Sequence, residues 1–250
     1  MYLKGKVALV TGASRGLGAG IALALHRQGA AVAVNYVQGA TQAEEVCSRI
    51  KTEGGKAVAI QADVTLGEEV RAMVQRAEAS LGPIDILVNN AGHNPLHSID
   101  RMSENDWEEV IALNLKSYFL VSKAVLAGMV KRRTGRIINI TSISGQRGGL
   151  ACDVDYSAAK AGIMGFTRSL ARWAAPQGIL VNAVAPGYIA TENLFTVCNE
   201  ERIKQLIASI PLGRLGTPED IGEVVAFLAG PAGAYMVGEV LTVNGGTHIG

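Results

Sequence analysis

Short apolar runs alternate with longer helical patterns along the whole of this 250-residue sequence. Val7 to Val10, Ala31 to Tyr36, Ala57 to Gln61, Ile86 to Asn89, Arg136 to Thr141, Leu180 to Ala185 and Glu239 to Val243 read as strands. Leu17 to Gln28, Thr41 to Glu53, Glu68 to Leu81, Ser103 to Leu113, Leu115 to Arg132, Tyr156 to Ala174 and Pro218 to Ala229 read as helices. Gly29, Gly54 and Gly82 close three of them, as expected where the chain must leave a helix. The strands are apolar throughout rather than at every second residue, which a strand covered on both faces requires. Strand and helix in turn predict an α/β fold, one doubly wound parallel sheet with helices on both faces. No linker-like stretch divides the chain, so residues 1–250 are expected to form a single domain. Tyr188 to Pro211 breaks the rhythm after the sixth strand and is expected to be an insertion that covers the substrate.

Composition narrows the function. A net charge of +1 gives no electrostatic reason to expect nucleic acid or an anionic membrane as partner. Aromatic residues are only 5% of the chain, too few for base-stacking platforms. Cys47, Cys152 and Cys198 are far apart and show no metal-ligand spacing, so reduced thiols and no metal site are expected. The N-terminus does not read as a signal peptide, and no apolar run in the sequence reads as long enough to span a bilayer. A cytoplasmic location is the expectation.

The loop Thr11-Gly12-Ala13-Ser14-Arg15-Gly16-Leu17-Gly18 lies between the first strand and the first helix. A diphosphate must approach backbone closely there, which side chains would block. The helix that follows offers free N–H groups and the positive end of its dipole. The loop therefore points to a dinucleotide. The second strand ends in Asn35-Tyr36-Val37, without the carboxylate that would hold a ribose diol and repel a 2′-phosphate. Arg15 supplies a guanidinium fork suited to that phosphate. NADP(H) is expected over NAD(H).

Tyr156 and Lys160 are four residues apart, on one face of a helix. A phenol with a pKa of about 10 exchanges protons poorly at neutral pH. A neighbouring ammonium favours the phenolate and should lower that value. Ser142 directly follows the fifth strand, at the sheet end where ligands bind in such folds. Its hydroxyl is placed to hold a substrate oxygen for the tyrosine. Ser144, two residues on in the same loop, is the alternative.

These features together resemble the short-chain dehydrogenase/reductase family, over essentially the whole chain. The resemblance rests on the glycine loop, on Asn89-Asn90-Ala91-Gly92, on the Ser142, Tyr156, Lys160 set and on Pro186-Gly187. It implies a Rossmann-type fold and interconversion of a carbonyl and an alcohol. It implies Asn114 as a fourth catalytic member, holding a water that relays protons to Lys160. It further implies cofactor contacts from Gly12, Ser14, Arg15, Gly16, Leu17, Gly18, Asn35, Tyr36, Asp63, Val64, Asn90, Ala91 and Gly92. Tyr156, Lys160, Pro186, Gly187, Ile189 and Thr191 complete that set. A homotetramer built on the fourth and fifth helices and the C-terminal strand follows from the same likeness.

Within the family the chain resembles the bacterial 3-oxoacyl-[acyl-carrier-protein] reductases most. The tail from Ile210-Pro211-Leu212-Gly213-Arg214 to Thr217-Pro218-Glu219-Asp220-Ile221 carries that likeness, and so does Asn35-Tyr36. It implies NADPH-dependent reduction of a 3-oxoacyl thioester. Lys131, Arg132 and Arg172 would then meet an acidic acyl carrier protein. His93-Asn94-Pro95-Leu96 and Ala151-Cys152-Asp153-Val154-Asp155 depart from that subgroup on the substrate side. A sugar, polyol or small-ketone dehydrogenase is the alternative, with Asp153 and Asp155 either meeting a polar substrate or sitting in a solvated turn. A non-catalytic NAD(P)-sensing module is the alternative of another class.

Overall fold

The computed structural model describes residues 1–149 and 153–249; Cys152 lies outside them. The strands are β1 (Val7–Val10), β2 (Ala31–Tyr36), β3 (Ala57–Gln61), β4 (Ile86–Asn89), β5 (Gly135–Ile140), β6 (Ile179–Pro186) and β7 (Val240–Val243). They form one seven-stranded sheet in the order β3-β2-β1-β4-β5-β6-β7, and every pairing is parallel. Helices α1 (Gly16–Arg27), α2 (Ala40–Thr52) and α3 (Gly67–Leu81) follow the first three strands. After β4 come α4 (Glu104–Ile111) and α5 (Ser117–Arg132), then α6 (Ser144–Arg147) and α7 (Val154–Ala174). Next are α8 (Glu192–Val197), α9 (Glu200–Ala208) and α10 (Pro218–Ala229).

The sheet separates two apolar layers, as parallel strands with buried faces demand. On one face Ile21, Leu25, Ile50, Ile221 and Val225 of α1, α2 and α10 cover Val10, Val34 and Ile138. On the other Met73, Val121, Val125, Met129 and Ala171 of α3, α5 and α7 cover Leu9, Ile60, Leu87 and Ile137. α10 enters on a capping box in which Thr217 and Asp220 satisfy each other's backbone N–H. Arg214 clamps the same Asp220 carboxylate at 2.7 and 3.2 Å. The tail motif noted in the sequence thus fixes where the chain returns to the sheet after α9.

The sequence reading divides the region after β4 into two helices at Asn114. In the structure α4 and α5 are continuous, joined by one π-helical turn over Ala112–Lys116. Within the joined helix, Glu104–Arg132, an 18-residue stretch reaches a mean hydropathy of 1.5, a length and composition that core helices and membrane spans share. Its apolar face is spent on the core: Val121, Val125 and Met129 pack under α3 and the sheet.

Strand order reverses between β1 and β4, which both leave the sheet at the same edge of a crevice. In open α/β sheets ligands bind outside the carboxyl ends of strands at such a point. The glycine loop after β1 and Asn90-Ala91-Gly92 after β4 lie side by side there.

Candidate active site

A cleft of about 720 Å³ opens at this edge, within the range usual for small-molecule sites. One end is built by the glycine loop. Gly12 and Gly16 have φ of +61° and +55°, which favours glycine. A Cβ on Gly12 would lie 2.9 Å from Ala91 Cα, and one on Gly18 would lie 2.6 Å from Asn90 Nδ2. The two loops are therefore seated on each other with no room for side chains. Thr11 Oγ1 accepts the N–H groups of Asn90 and Ala91 at 2.9 and 3.0 Å, and Asn90 Nδ2 donates to Thr11 O and Gly12 O at 2.9 and 3.0 Å.

Helix α1 begins at this loop with no side-chain cap, whereas α4, α8, α9 and α10 are capped by Ser103, Thr191, Asn199 and Thr217. Gly16, Leu17 and Gly18 of its first turn line the cleft, and a helix N-terminus so placed is an arrangement that binds a phosphate. The Arg15 side chain has no ion-pair or hydrogen-bond partner among the described residues. Thr191 approaches from the opposite wall, its Cγ2 3.6 Å from where a Gly16 Cβ would stand. Val37, Gln38, Ala62, Asp63 and Val64 close the far end of the cleft.

The other end holds the chemistry. Ser142, Tyr156 and Lys160 line it together, with Gly92, Pro186, Gly187 and Ile189 around them. Thr141 Oγ1 donates to Lys160 O at 2.6 Å, which locks α7 to the end of β5 and so fixes the spacing of the three. Ser142 Oγ accepts the Ser144 N–H at 3.1 Å. Ser142, rather than Ser144, interacts with the Tyr156 hydroxyl and lowers its pKa.

Burial reverses the expected electrostatics in the cleft. The phenol of Tyr156 is pushed up to about 12, chiefly by desolvation; the Ser142 hydroxyl opposes the rise and the Asp153 charge adds to it. The Lys160 ammonium, 3% exposed, is pulled down to about 7 by desolvation. Its Nζ lies over the Tyr156 and Tyr118 rings, 5.4 and 5.3 Å from their centres.

A family model described as enoyl-(acyl carrier protein) reductase matches residues 12–248. The chain belongs to the short-chain dehydrogenase/reductase family. The 3-oxoacyl-[acyl-carrier-protein] reductase of Synechocystis sp. is 47% identical over 248 residues, which are 98% of this chain and 97% of that one. The reductase of the same name from Vibrio cholerae is 45% identical over 249 residues, covering 100% of both chains. The crystal structure of a blue fluorescent protein from a metagenomic library, solved in complex with NADPH, matches with a TM-score of 0.93 and 38% identity over 100% of both chains.

This dehydrogenase/reductase places most of the sequence-expected residues on one cleft, with two exceptions. Tyr36 faces a separate shallow groove beside α2, formed with Thr41, Glu44 and Ser48. Asn114 is fully buried behind the cleft. Its Nδ2 donates to His93 O and Val110 O at 2.9 and 3.1 Å, and its Oδ1 accepts the His93 N–H at 3.1 Å. The side chain is spent on bracing the loop after Gly92. Asn35 lines the cleft, yet its side chain also works as a brace. It accepts the Gly12 N–H at 3.1 Å and donates to Ala62 O at 3.0 Å.

Other residues were not legible as part of the site. Tyr118 is buried beside Lys160 and donates to Ile140 O at 2.8 Å. Asn89 Nδ2 donates to Asn139 Oδ1 at 2.9 Å and Asn139 Nδ2 to Thr167 Oγ1 at 2.9 Å, a buried polar ladder under the catalytic end. Asp153 and Asp155 are buried rather than in a solvated turn. Asp155 accepts the Tyr156 N–H at 2.7 Å and lies 3.1 Å from His97 Nδ1. Arg132 donates to Ile84 O at 2.6 Å and so is turned inward, leaving Lys131 and Arg172 as the exposed members of the basic trio.

Proposed function

We propose that this chain is an NADPH-dependent reductase of 3-oxoacyl thioesters, with Tyr156 as its general acid. One observation carries the reading: Ser142, Tyr156 and Lys160 converge at one end of a cleft whose other end is a glycine-rich helix N-terminus without a side-chain cap, beside an Arg15 that has no side-chain partner among the described residues. The cradle fits a dinucleotide phosphate in shape and charge. Arg15 and the absence of a carboxylate from Asn35-Tyr36-Val37 suit a 2′-phosphate, and the relative whose structure contains NADPH is consistent with that choice.

When bound, NADPH supplies a hydride to the substrate carbonyl carbon. Tyr156 gives its hydroxyl proton to the carbonyl oxygen as charge develops there. Ser142 donates a hydrogen bond to the same oxygen and sets its direction toward the phenol. Lys160, as the ammonium, stabilises the phenolate that Tyr156 becomes and binds the nicotinamide ribose. Pro186, Gly187, Ile189 and Thr191 form the wall that orients the nicotinamide. Asn114 shapes the loop at Gly92, where Asn114 and Lys160 meet. Helices α8 and α9 cover the substrate end with Leu194, Val197 and Leu206.

The acyl group would arrive on an acyl carrier protein, as the names of the relatives suggest, with Lys131 and Arg172 as the basic contacts. A homotetramer belongs to the same reading, supported by Trp107 on α4 and Phe119 on α5, which are exposed. The deciding experiment follows absorbance of the reduced nicotinamide with an acetoacetyl thioester and either NADPH or NADH. Oxidation of NADPH alone is the expected result. Turnover with neither cofactor, or a preference for NADH, overturns the substrate or the cofactor part of the reading respectively.

A further inference from the structure

Asp153 is 4% exposed, stands at the start of α7 and lines the cleft near Tyr156. Its Oδ2 accepts a hydrogen bond from Asn94 Nδ2 at 2.7 Å. Its Oδ1 is shielded from solvent and has no hydrogen-bond partner among the described residues. Among the described residues no cation pairs with it. Lys160 Nζ is committed to Ile140 O and Tyr118 at 3.0 and 3.3 Å. Arg147, on the same cleft, donates to Thr247 O at 2.9 Å and to the Tyr188 hydroxyl at 3.3 Å. A buried carboxylate satisfied through one amide is costly to a fold, so its position at the substrate end calls for an explanation.

We infer that Asp153 is a specificity-determining residue that selects substrates uncharged beside the reacting carbonyl and rejects those bearing a carboxylate there. The inference rests on the carbonyl-reductase reading and deepens it. Asp153 and Tyr156 line the same cleft and the Asp153 charge is felt at the phenol, so a substrate whose carbonyl oxygen sits on Tyr156 lies in the field of that carboxylate. In a cleft walled by protein, two like charges repel far more than in water. A free 3-oxo acid carries its charge two bonds from the ketone, whereas the corresponding thioester or ester is neutral. Asn94 holds the carboxylate in place, so the filter is rigid.

The test compares acetoacetate with methyl acetoacetate, which differ at this end of the molecule by one charge. The readout is the ratio of their kcat/KM values with NADPH. Wild-type protein should favour the ester. In Asp153→Asn, which keeps the acceptor for Asn94, the ratio should move toward acetoacetate by about tenfold, the screened equivalent of one removed charge. Asp153→Ser should shift it the same way, and Asp153→Glu should keep the wild-type preference. An unchanged ratio in the Asn and Ser variants, or an equal shift in the Glu variant, overturns the inference while leaving the reductase reading intact. Failure of wild-type protein to reduce the ester at all would instead overturn the reading on which the inference rests.

Discussion

The Lys160 ammonium lies 3.3 Å from the hydroxyl oxygen of Tyr118, a residue on a different helix and fully buried. Because Tyr118 donates its own proton to Ile140 O, its oxygen is free to accept from Nζ. Tyr118 thus acts as a positioning residue that favours the charged lysine against the desolvation that pulls it down. In Tyr118→Phe the pKa of Lys160 should fall below its present value of about 7. The alkaline limb of the pH profile for reduction, where the ammonium is lost, should move to lower pH. A purely structural role would lower the melting temperature and leave that limb in place.

Replacing Tyr156 by Phe removes the proton donor and keeps the ring over which Lys160 sits. Turnover should fall by roughly a hundred- to ten-thousandfold, the usual span for loss of a general acid. Fluorescence titration should still show cofactor binding. Activity within a few-fold of wild type would exclude Tyr156 as the acid and move attention to Ser142.

Arg15 is exposed at the mouth of the phosphate loop, with no side-chain partner to lose among the described residues. Arg15→Ala should therefore leave stability alone and lower kcat/KM for NADPH by about ten- to a hundredfold, the worth of a charge-assisted phosphate contact. The value for NADH should hardly change. Equal losses with both cofactors would place Arg15 on the shared diphosphate instead.

The strands and most helix ends were legible because a strand buried on both faces leaves a continuous apolar run, and glycine or proline marks where it stops. Val7–Val10 and Ile86–Asn89 are examples read to the residue. Glu192–Val197 and Glu200–Ala208 were not read, because they are short and mostly exposed and so lack a core-facing stripe. Their signal was local: Thr191 and Asn199 each cap the helix that follows, with acidic residues in the first turn. The catalytic trio was legible from spacing and from its place at strand ends. Tyr118 was not, since a tyrosine on a buried helix face looks like ordinary core until the fold sets it against Lys160. The direction of the Tyr156 and Lys160 shifts was also missed, because desolvation depends on how much protein surrounds them.

That desolvation makes stability depend on pH. Free Lys keeps its proton to a pKa of 10.5, whereas Lys160 in the folded protein gives it up near 7. Between about pH 7 and 10 the unfolded chain therefore holds a proton that the native state has released. Stability from this group must rise with pH across that window and is lowest below 7, where a buried ammonium is forced on the fold. Above pH 10 the raised Tyr156 works in the opposite sense, since the unfolded phenol ionises first. Melting curves of the cofactor-free protein should show the first trend, and Lys160→Met should flatten it relative to wild type. An identical pH dependence in both proteins would mean that Lys160 stays charged in the fold.

Gly92 is the point where Asn114 and Lys160 come closest to the loop after β4. A Cβ added there would stand 2.6 Å from Asn114 Oδ1 and 3.3 Å from Lys160 Nζ. The first distance is too short for any side chain to keep, and Asn114 cannot retreat while its amide bonds His93 O and Val110 O. The strain must pass to the His93 loop or to the lysine. Gly92→Ala should therefore lower kcat by at least tenfold. It should disturb catalysis more than the binding of NADPH phosphates at Gly12 to Gly18, which lie on the other side of Ala91. Stopped-flow binding and steady-state turnover measured on the same preparation separate the two effects. A variant with weakened cofactor binding and normal turnover at saturation would show that the loop after Gly92 serves the dinucleotide alone.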